Sequence, residues 1–236
     1  MNNNKNHPKT DEIKLMFNDI APKYDFLNRF LSLGVDIYWR RKAINKLRKT
    51  NPKTILDIAT GTGDFAIESL KLNPDKIIGI DISTEMLKVG KEKINNKNYN
   101  NIIELKEGNA ENINFNDCYF DATTVAFGVR NFENLEKGIK EIIRVLKPNG
   151  TLIILEFADS NNSIIRKLFN LYFNKILPVI GKLFSKNNIA YTYLPESVKK
   201  FYKPEDFKEV LVNCGFSNVE ITKMTFNLAI IYECKK

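Results

Sequence analysis

Two glycines, with one aspartate before them and another after them, form the part of the sequence best suited to chemistry. Gly61 and Gly63 stand where a short apolar run ends and a helix-period segment begins. Glycines at such a strand-to-helix turn let the backbone approach a ligand closely at the carboxyl edge of a sheet. Asp81 ends the next apolar run, 18 residues after Gly63, where a carboxylate can accept both hydroxyls of a ribose. The spacing therefore predicts a ligand with an adenosine half.

The glycine turn alone does not select the ligand. Its Gly-x-Gly-x-x-Ala pattern also satisfies a dinucleotide fingerprint, and a tight turn without any ligand would have the same sequence. Asp57, just before the turn, favours S-adenosylmethionine, because its carboxylate attracts the ammonium end of that cofactor and would repel a pyrophosphate. Asn109 and Ala110 end the third predicted strand, where polar groups can hydrogen-bond an adenine edge. Together these features resemble a class I methyltransferase more than an NAD(P) oxidoreductase. The predicted cofactor-binding residues are Asp57, Gly61, Thr62, Gly63, Asp81, Asn109 and Ala110.

The elements that must position these residues alternate along the chain from Lys53 onward. Apolar β-branched runs alternate with helix-period segments, which predicts an α/β fold around a mostly parallel sheet. The predicted strands are Thr54–Ala59, Lys76–Asp81, Ile102–Asn109, Phe120–Phe127 and Thr151–Phe157, with a C-terminal hairpin of Asn218–Met224 and Phe226–Cys234. The predicted helices between and after them are Asp64–Leu72, Ser83–Ile94, Glu133–Leu146 and Pro204–Cys214. This is the pattern of a Rossmann-like, seven-stranded class I methyltransferase sheet.

Two further segments flank this sheet, and no linker separates either of them into a domain. Residues 1–50 predict a helical lid: an amphipathic helix around Asp11–Ile20, an irregular aromatic stretch, and a basic helix around Val35–Lys49. Lys147-Pro148-Asn149-Gly150 predicts a turn into the fifth strand, because proline stops a helix and Asn-Gly accepts positive φ. Residues 159–203 form a basic, apolar insertion. We therefore expect residues 1–236 to form a single methyltransferase domain.

Composition excludes several classes of protein. With 236 residues, 43% of them hydrophobic and 27% charged, the chain is typical of a globular protein. A single histidine, His7, removes histidine-based zinc sites and Ser-His-Asp catalysis, and no metal site is predicted. The three cysteines form no CxxC pair, and the polar N-terminus lacks the apolar core of a signal peptide. We expect a cytoplasmic protein.

The net charge of +8 is concentrated in the insertion. Between Ser160 and Lys203 there are eight basic residues and one acidic residue, Glu196. These charges interleave with apolar residues and match no nucleic-acid reading motif, so we expect no nucleic-acid partner. Within residues 163–185, a lysine stripe borders a wide apolar face, which suits peripheral contact with the anionic inner face of the cell membrane. A substrate lid packed over a pocket would show the same pattern.

Two long stretches resemble the two signatures of the menaquinone and ubiquinone C-methyltransferases. They are residues 24–41, YDFLNRFLSLGVDIYWRR, and residues 144–157, RVLKPNGTLIILEF. The resemblance continues through FGVRN at 127–131 and PESV at 195–198, and it covers nearly the whole chain from about Asp11. The departures from the usual family residues are Leu27, Asp36, Ala126, Asn149 and Ala158. Asp36 replaces a common histidine, so any role of that histidine in binding a quinol does not carry over, and Ala126 lacks a serine hydroxyl that could contact the cofactor.

By this resemblance, the sulfonium methyl of S-adenosylmethionine goes to a ring carbon of a reduced, prenylated quinol, converting demethylmenaquinol to menaquinol. The alternative within the family is ubiquinone-pathway C-methylation of a 2-methoxy-6-polyprenyl-benzoquinol, and a non-catalytic assembly protein with the same fold is an alternative of another class. The ring carbon is made nucleophilic by its own hydroxyl, so the protein needs only to align carbon and methyl and help remove protons.

The resemblance also implies catalytic residues. It places Arg130 near the methyl group, where a fixed positive charge stabilises a developing phenolate or orients a water. It places Tyr24, Asp25 and Asn28 over the pocket as part of the lid. The simpler alternatives are a carboxylate-paired or surface role for Arg130, and a capped turn packed by its aromatic residues for the lid segment.

Overall fold

A computed structural model describes residues 9–32, 34–158 and 189–236. Its helices are α1 (Thr10–Ile20), α2 (Tyr24–Leu31), α3 (Val35–Asn45), α4 (Asp64–Ser69), α5 (Thr84–Asn96), α6 (Leu135–Val145), α7 (Ile189–Lys200) and α8 (Pro204–Cys214). Its strands are β1 (Thr54–Ile58), β2 (Lys76–Asp81), β3 (Ile103–Glu107), β4 (Phe120–Ala126), β5 (Leu146–Phe157), β6 (Asn218–Met224) and β7 (Ala229–Lys235). Most of the predicted insertion, including residues 163–185, lies outside the described residues.

The seven strands form one sheet in the order β3-β2-β1-β4-β5-β7-β6. Strands β1 to β5 pair in parallel, and β7 pairs antiparallel with both β5 and β6, so the predicted α/β class and the C-terminal hairpin are confirmed. The strand order reverses at β1, which lies between β2 and β4. In an open parallel sheet, ligands bind outside the carboxyl ends of the strands at this point of reversal. The glycine turn follows β1 directly.

The sheet is buried on both faces, which explains the nearly continuous apolar runs of its strands. On one face, α6 and α8 pack on residues such as Leu56 and Ile154; on the other, α3, α4 and α5 pack on residues such as Ile55 and Ile153. Helix α3 contributes Trp39 to that second core, so within the predicted 1–50 lid it belongs to the body of the sheet. Of the described helices before β1, α1 and α2 remain to cover the strand ends. Among the described helices, none is long and apolar enough to cross a membrane.

The structure differs from prediction in three local features. The stretch predicted as irregular is helix α2, whose inward residues Tyr24, Leu27 and Asn28 follow helical spacing despite the polar residues between them. The predicted turn at residues 147–150 lies inside β5, which begins at Leu146, although Asn149 has the positive φ expected, 63°. The basic helix ends at Asn45 and continues as a 3₁₀ helix over Lys46–Thr50.

Candidate active site

A cleft that is open to solvent lies at the carboxyl ends of β1, β2 and β4. Four lining residues come from the N-terminal segment: Thr10, Ile13, Phe17 and Tyr24. The residues that follow β1, β2 and β3 are Ala59, Gly61, Asp81, Ile82, Met86, Gly108, Asn109, Ala110 and Glu111. Those at the end of β4 and beyond are Ala126, Phe127, Gly128, Asn131 and Phe132. The cleft thus joins a polar side at β1 and β2 to a more apolar side at β4.

Asp81 fixes the glycine turn at the polar side. Its Oδ2 accepts the Gly61 amide at 2.8 Å, and its Oδ1 accepts the Ser83 amide at 2.8 Å. Gly61 and Gly63 have φ of 56° and 80°, the left-handed region that glycine adopts without strain. Burial raises the pKa of Asp81, and the bonds from Ser83 and Gly61 oppose the rise. A carboxylate has about four acceptor positions, so Asp81 keeps acceptor capacity that faces the cleft.

Asp57 lies beneath the turn and is not among the residues that line the cleft. Its side chain is fully buried, and its two oxygens accept the Thr60 hydroxyl at 2.6 Å and the Thr124 hydroxyl at 2.8 Å. Burial raises its pKa to about 6. The hydrogen bonds from the two hydroxyls lower the pKa, but by less than burial raises it. No lysine or arginine forms an ion pair with it in the described part of the chain. Because it is buried, the ionised Asp57 carboxylate would create a negative potential at the end of β1 without contacting a bound cation directly.

Of the predicted lid residues, Tyr24 lines the cleft and Asp25 does not. The Tyr24 ring lies 3.8 Å from where a Cβ on Gly61 would be, so it covers the glycine turn. Desolvation raises its pKa, and a hydrogen bond with Asn28 opposes the rise. The Asp25 carboxylate instead accepts the Thr62 hydroxyl at 2.5 Å and pairs with Lys93 at 2.5 Å. The structure thus brings Tyr24 and Asn28 together and turns Asp25 towards the base of the turn.

Arg130 is held in a buried ion pair, next to the cleft but not among its lining residues. Its Nη1 donates to Glu156 Oε1 at 2.7 Å and to the Phe127 carbonyl at 2.6 Å, and its Nε donates to the Ser197 hydroxyl at 3.3 Å. Burial raises the pKa of Glu156, and the Arg130 charge opposes that rise. This is the carboxylate-paired arrangement that the sequence left open as an alternative. Phe127 lines the apolar side of the cleft and has a positive φ of 58°. Because Arg130 donates to its carbonyl, the ion pair holds the backbone of Phe127 in this conformation.

A second buried ion pair explains the departure at Asp36. Its carboxylate accepts the Ser32 hydroxyl at 2.6 Å and pairs with Arg40 one helical turn later. The Arg40 guanidinium lies 5.6 Å from the centre of the Phe127 ring. This chain therefore uses Asp36 to hold an arginine against a cleft-lining aromatic residue. Ala126 lines the cleft, and its methyl side chain offers no hydroxyl there.

Several residues of the site were not predicted. Asn131 and Phe127 line the cleft and stand in the FGVRN stretch, so the resemblance offered a signal for them. Nothing in the sequence pointed to Lys93 or Asn18, because each acts through a partner far away in the chain. Lys93 contacts Asp25, Thr62 and Asp64, and Asn18 accepts the Ser83 hydroxyl at 2.7 Å.

Comparison with known proteins gives a consistent result. The model of the ubiE/COQ5 methyltransferase family matches residues 4–236. A demethylmenaquinone methyltransferase from Bacteroides fragilis is 44% identical over 229 residues, covering 97% of this chain and 94% of the relative. A ubiquinone/menaquinone biosynthesis C-methyltransferase UbiE from Geotalea daltonii is 44% identical over 230 residues, 97% of each chain. The structure of a putative S-adenosyl-L-methionine-dependent methyltransferase from Methanococcus maripaludis is similar with a TM-score of 0.65 and 23% identity, over 93% of each chain.

The raised pKa of Asp57 predicts a pH dependence of stability. Folding raises this pKa from 3.8 to about 6, so the folded protein binds the proton more tightly than the unfolded chain does. The stability this contributes is fully present below pH 3.8 and is lost as the pH rises through about 6. Asp57→Asn cannot ionise, so its stability relative to the parent should rise by about 2 kcal/mol between pH 4 and pH 7.

Urea denaturation at a series of pH values measures this difference. Asp75→Asn, which removes an exposed carboxyl just before β2, is the matched control. A difference between parent and Asp57→Asn that stays constant from pH 4 to pH 7 would show that the buried Asp57 carboxyl does not have a raised pKa.

Proposed function

This chain belongs to the ubiE/COQ5 methyltransferase family, and we propose that it methylates a ring carbon of demethylmenaquinol, giving menaquinol. It is an S-adenosylmethionine-dependent methyltransferase. The observation that carries the substrate proposal is the 44% identity, over 97% of the chain, to a relative named for demethylmenaquinone. Equal identity to a relative named for both quinone pathways keeps ubiquinone-pathway C-methylation as the alternative.

The residues of the cleft suit S-adenosylmethionine. Asp81 would accept the ribose hydroxyls with the acceptor positions that its two amide bonds leave available. Asn109 and Ala110 would flank the adenine, and Gly61 would lie beside the methionine part. The negative potential of Asp57 favours the positive charges of that part. When bound, the cofactor supplies an electrophilic methyl group on a positively charged sulfur.

The apolar side of the cleft suits an aromatic ring with oxygen substituents. Phe127 and Phe132 offer ring faces, and Asn131 offers an amide between them. The Tyr193 hydroxyl donates to Asn131 Oδ1 at 2.7 Å, so the Asn131 nitrogen is left to donate to a quinol oxygen. These groups would hold the ring carbon in line with the methyl group, which is the main requirement of a reaction whose nucleophile is already activated.

Three residues bear on the charge that develops on the quinol. Tyr24 stays protonated because burial raises its pKa, so its hydroxyl can donate to a phenolate oxygen. Arg130 adds a fixed positive charge behind the apolar wall, partly balanced by Glu156. Formation of the carbon–carbon bond would break the sulfur–methyl bond and leave a neutral thioether, and the ring carbon would then lose its proton to water, which restores the aromatic ring.

Peripheral contact with the membrane is part of this proposal. The lysine stripe of residues 163–185 and its apolar face support peripheral contact with anionic lipid, as the sequence suggests. These residues lie outside the described part of the chain.

A methyl-transfer assay tests the proposed substrate. The purified protein is mixed with methyl-labelled S-adenosylmethionine and either reduced demethylmenaquinone or the reduced 2-methoxy-6-polyprenyl-benzoquinone, with matched prenyl tails. Mass spectrometry should find the label on a ring carbon of the menaquinol, formed about 10-fold faster or more than the benzoquinol product, a difference of about 1.4 kcal/mol in transition-state stabilisation. Faster methylation of the benzoquinol would favour the alternative pathway, and labelling on oxygen would contradict C-methylation altogether.

The buried pair of Arg130 and Glu156 allows a sharper test of the catalytic role. If the Arg130 charge acts on the reacting ring, Arg130→Ala should lower turnover by about 10²-fold or more while leaving cofactor affinity nearly unchanged. The double variant Arg130→Ala/Glu156→Gln removes the unpaired buried carboxylate that the single variant creates. Its turnover should remain low, and Arg130→Lys should recover only part of it. A double variant that works within a few-fold of the parent would show that Arg130 has a structural role.

A further inference from the structure

We propose that Lys93 is a positioning residue that locks α2 onto the glycine turn and thereby slows release of the cofactor. This inference deepens the proposed function and rests on its cofactor, but not on the identity of the quinol. Here the lid means α1 and α2, residues 10–31.

Lys93 lies at the centre of a four-residue network that joins separate elements. Its Nζ is 2.5 Å from Asp25 Oδ2, 2.7 Å from Asp64 Oδ1 and 3.0 Å from the Thr62 hydroxyl. The Thr62 hydroxyl in turn donates to Asp25 Oδ1 at 2.5 Å. Asp25 belongs to α2, Thr62 to the glycine turn, Asp64 to the start of α4, and Lys93 to the end of α5. The Lys93 ammonium group therefore connects the lid to the glycine turn and to the start of α4, the two segments that follow β1.

The charges of this network make the lysine necessary to it. Two carboxylates converge on one cation, and the three side chains are between 17% and 27% exposed. Burial alone would raise the pKa of Asp64, but the Lys93 charge beside it lowers that pKa below its usual value. Without Lys93, Asp25 and Asp64 would face each other as like charges, and their repulsion would push α2 away from the turn.

Polar contacts join the lid to several parts of the cleft rim. Among the α2 side chains whose burial the structure describes, only Leu27 is buried. In α1, Thr10 bonds Glu133, Lys14 pairs with Glu107, and Asn18 accepts the Ser83 hydroxyl. Within the described residues, these three contacts reach other parts of the cleft rim, and the Asp25 contacts are the polar ones that reach the glycine turn.

The position of Tyr24 connects this lock to the ligand. Tyr24 precedes Asp25, lines the cleft and covers Gly61. Holding the Asp25 carboxylate therefore holds the Tyr24 ring across the place where the methionine part of the cofactor would lie. A cofactor can leave past Tyr24 only when α2 moves, so breaking the network should speed release.

Hydrogen exchange and ligand release test the proposal with one pair of variants. Lys93→Met removes the ammonium, and Lys91→Met removes an exposed lysine from the same helix as the control. In Lys93→Met without ligand, backbone amides of α2 should exchange about 10-fold faster than in the control, as local opening becomes easier. Amides of β1 and β4 should be unchanged. In stopped-flow experiments, S-adenosylhomocysteine should dissociate from Lys93→Met about 10-fold faster or more, which is about 1.4 kcal/mol.

Two further variants distinguish loss of the specific Lys93 contacts from a general loss of structure. Lys93→Arg keeps the charge and should exchange and release ligand within a few-fold of the parent. Lys93→Met/Asp25→Asn should release ligand no faster than Lys93→Met, because both changes break the same contact and their effects do not add. Unchanged α2 exchange in Lys93→Met would overturn the lock, and faster exchange without faster release would overturn its link to the cofactor. Neither readout uses a quinol, so failure of the substrate proposal would leave both results standing.

Discussion

The Asp81 carboxylate connects the two loops on which the site depends. By accepting the amides of Gly61 and Ser83, it ties the turn after β1 to the start of α5 after β2. These loops are neighbours because β1 and β2 pair in parallel beside the point where the strand order reverses. Once they are fixed, the network around Lys93 has a rigid base, and the lid can rest on it.

The other side of the cleft is organised by buried charge and aromatic stacking. Phe127 and Phe157 stack with ring centres 4.2 Å apart. Arg40 lies 5.6 Å from the centre of the Phe127 ring, and Arg130 lies 5.5 Å from that of Phe157. Each arginine has its own carboxylate, because an unpaired charge in this position would be strongly destabilising. This arrangement gives the apolar side of the cleft a rigid aromatic wall backed by two ion pairs.

The sequence predicts the features that depend on local pattern and leaves out those that depend on distant partners. The strands, the glycine turn and Asp81 follow from apolar runs and spacing, and the structure shows them where predicted. Helix α2 was missed although Tyr24, Leu27 and Leu31 stand at helical spacing, since the helix is only eight residues long. The pairing of Arg130 was left open because its carboxylate, Glu156, is brought to it by the adjacent strand β5. Lys93 could not be predicted, since its partner Asp25 is distant in the sequence: Asp25 precedes β1, whereas Lys93 follows β2.

Calorimetric titration with S-adenosylhomocysteine tests the central claim, that Asp81 both shapes the glycine turn and binds the ribose. Asp81→Ala removes the acceptor for two amides and for the ribose hydroxyls, whereas Asp75→Ala removes an exposed carboxyl just before β2. We expect Asp81→Ala to weaken binding by about 1.5 to 3 kcal/mol and Asp75→Ala to leave it unchanged. An unchanged dissociation constant in a folded Asp81→Ala variant would contradict the placement of the cofactor in this cleft.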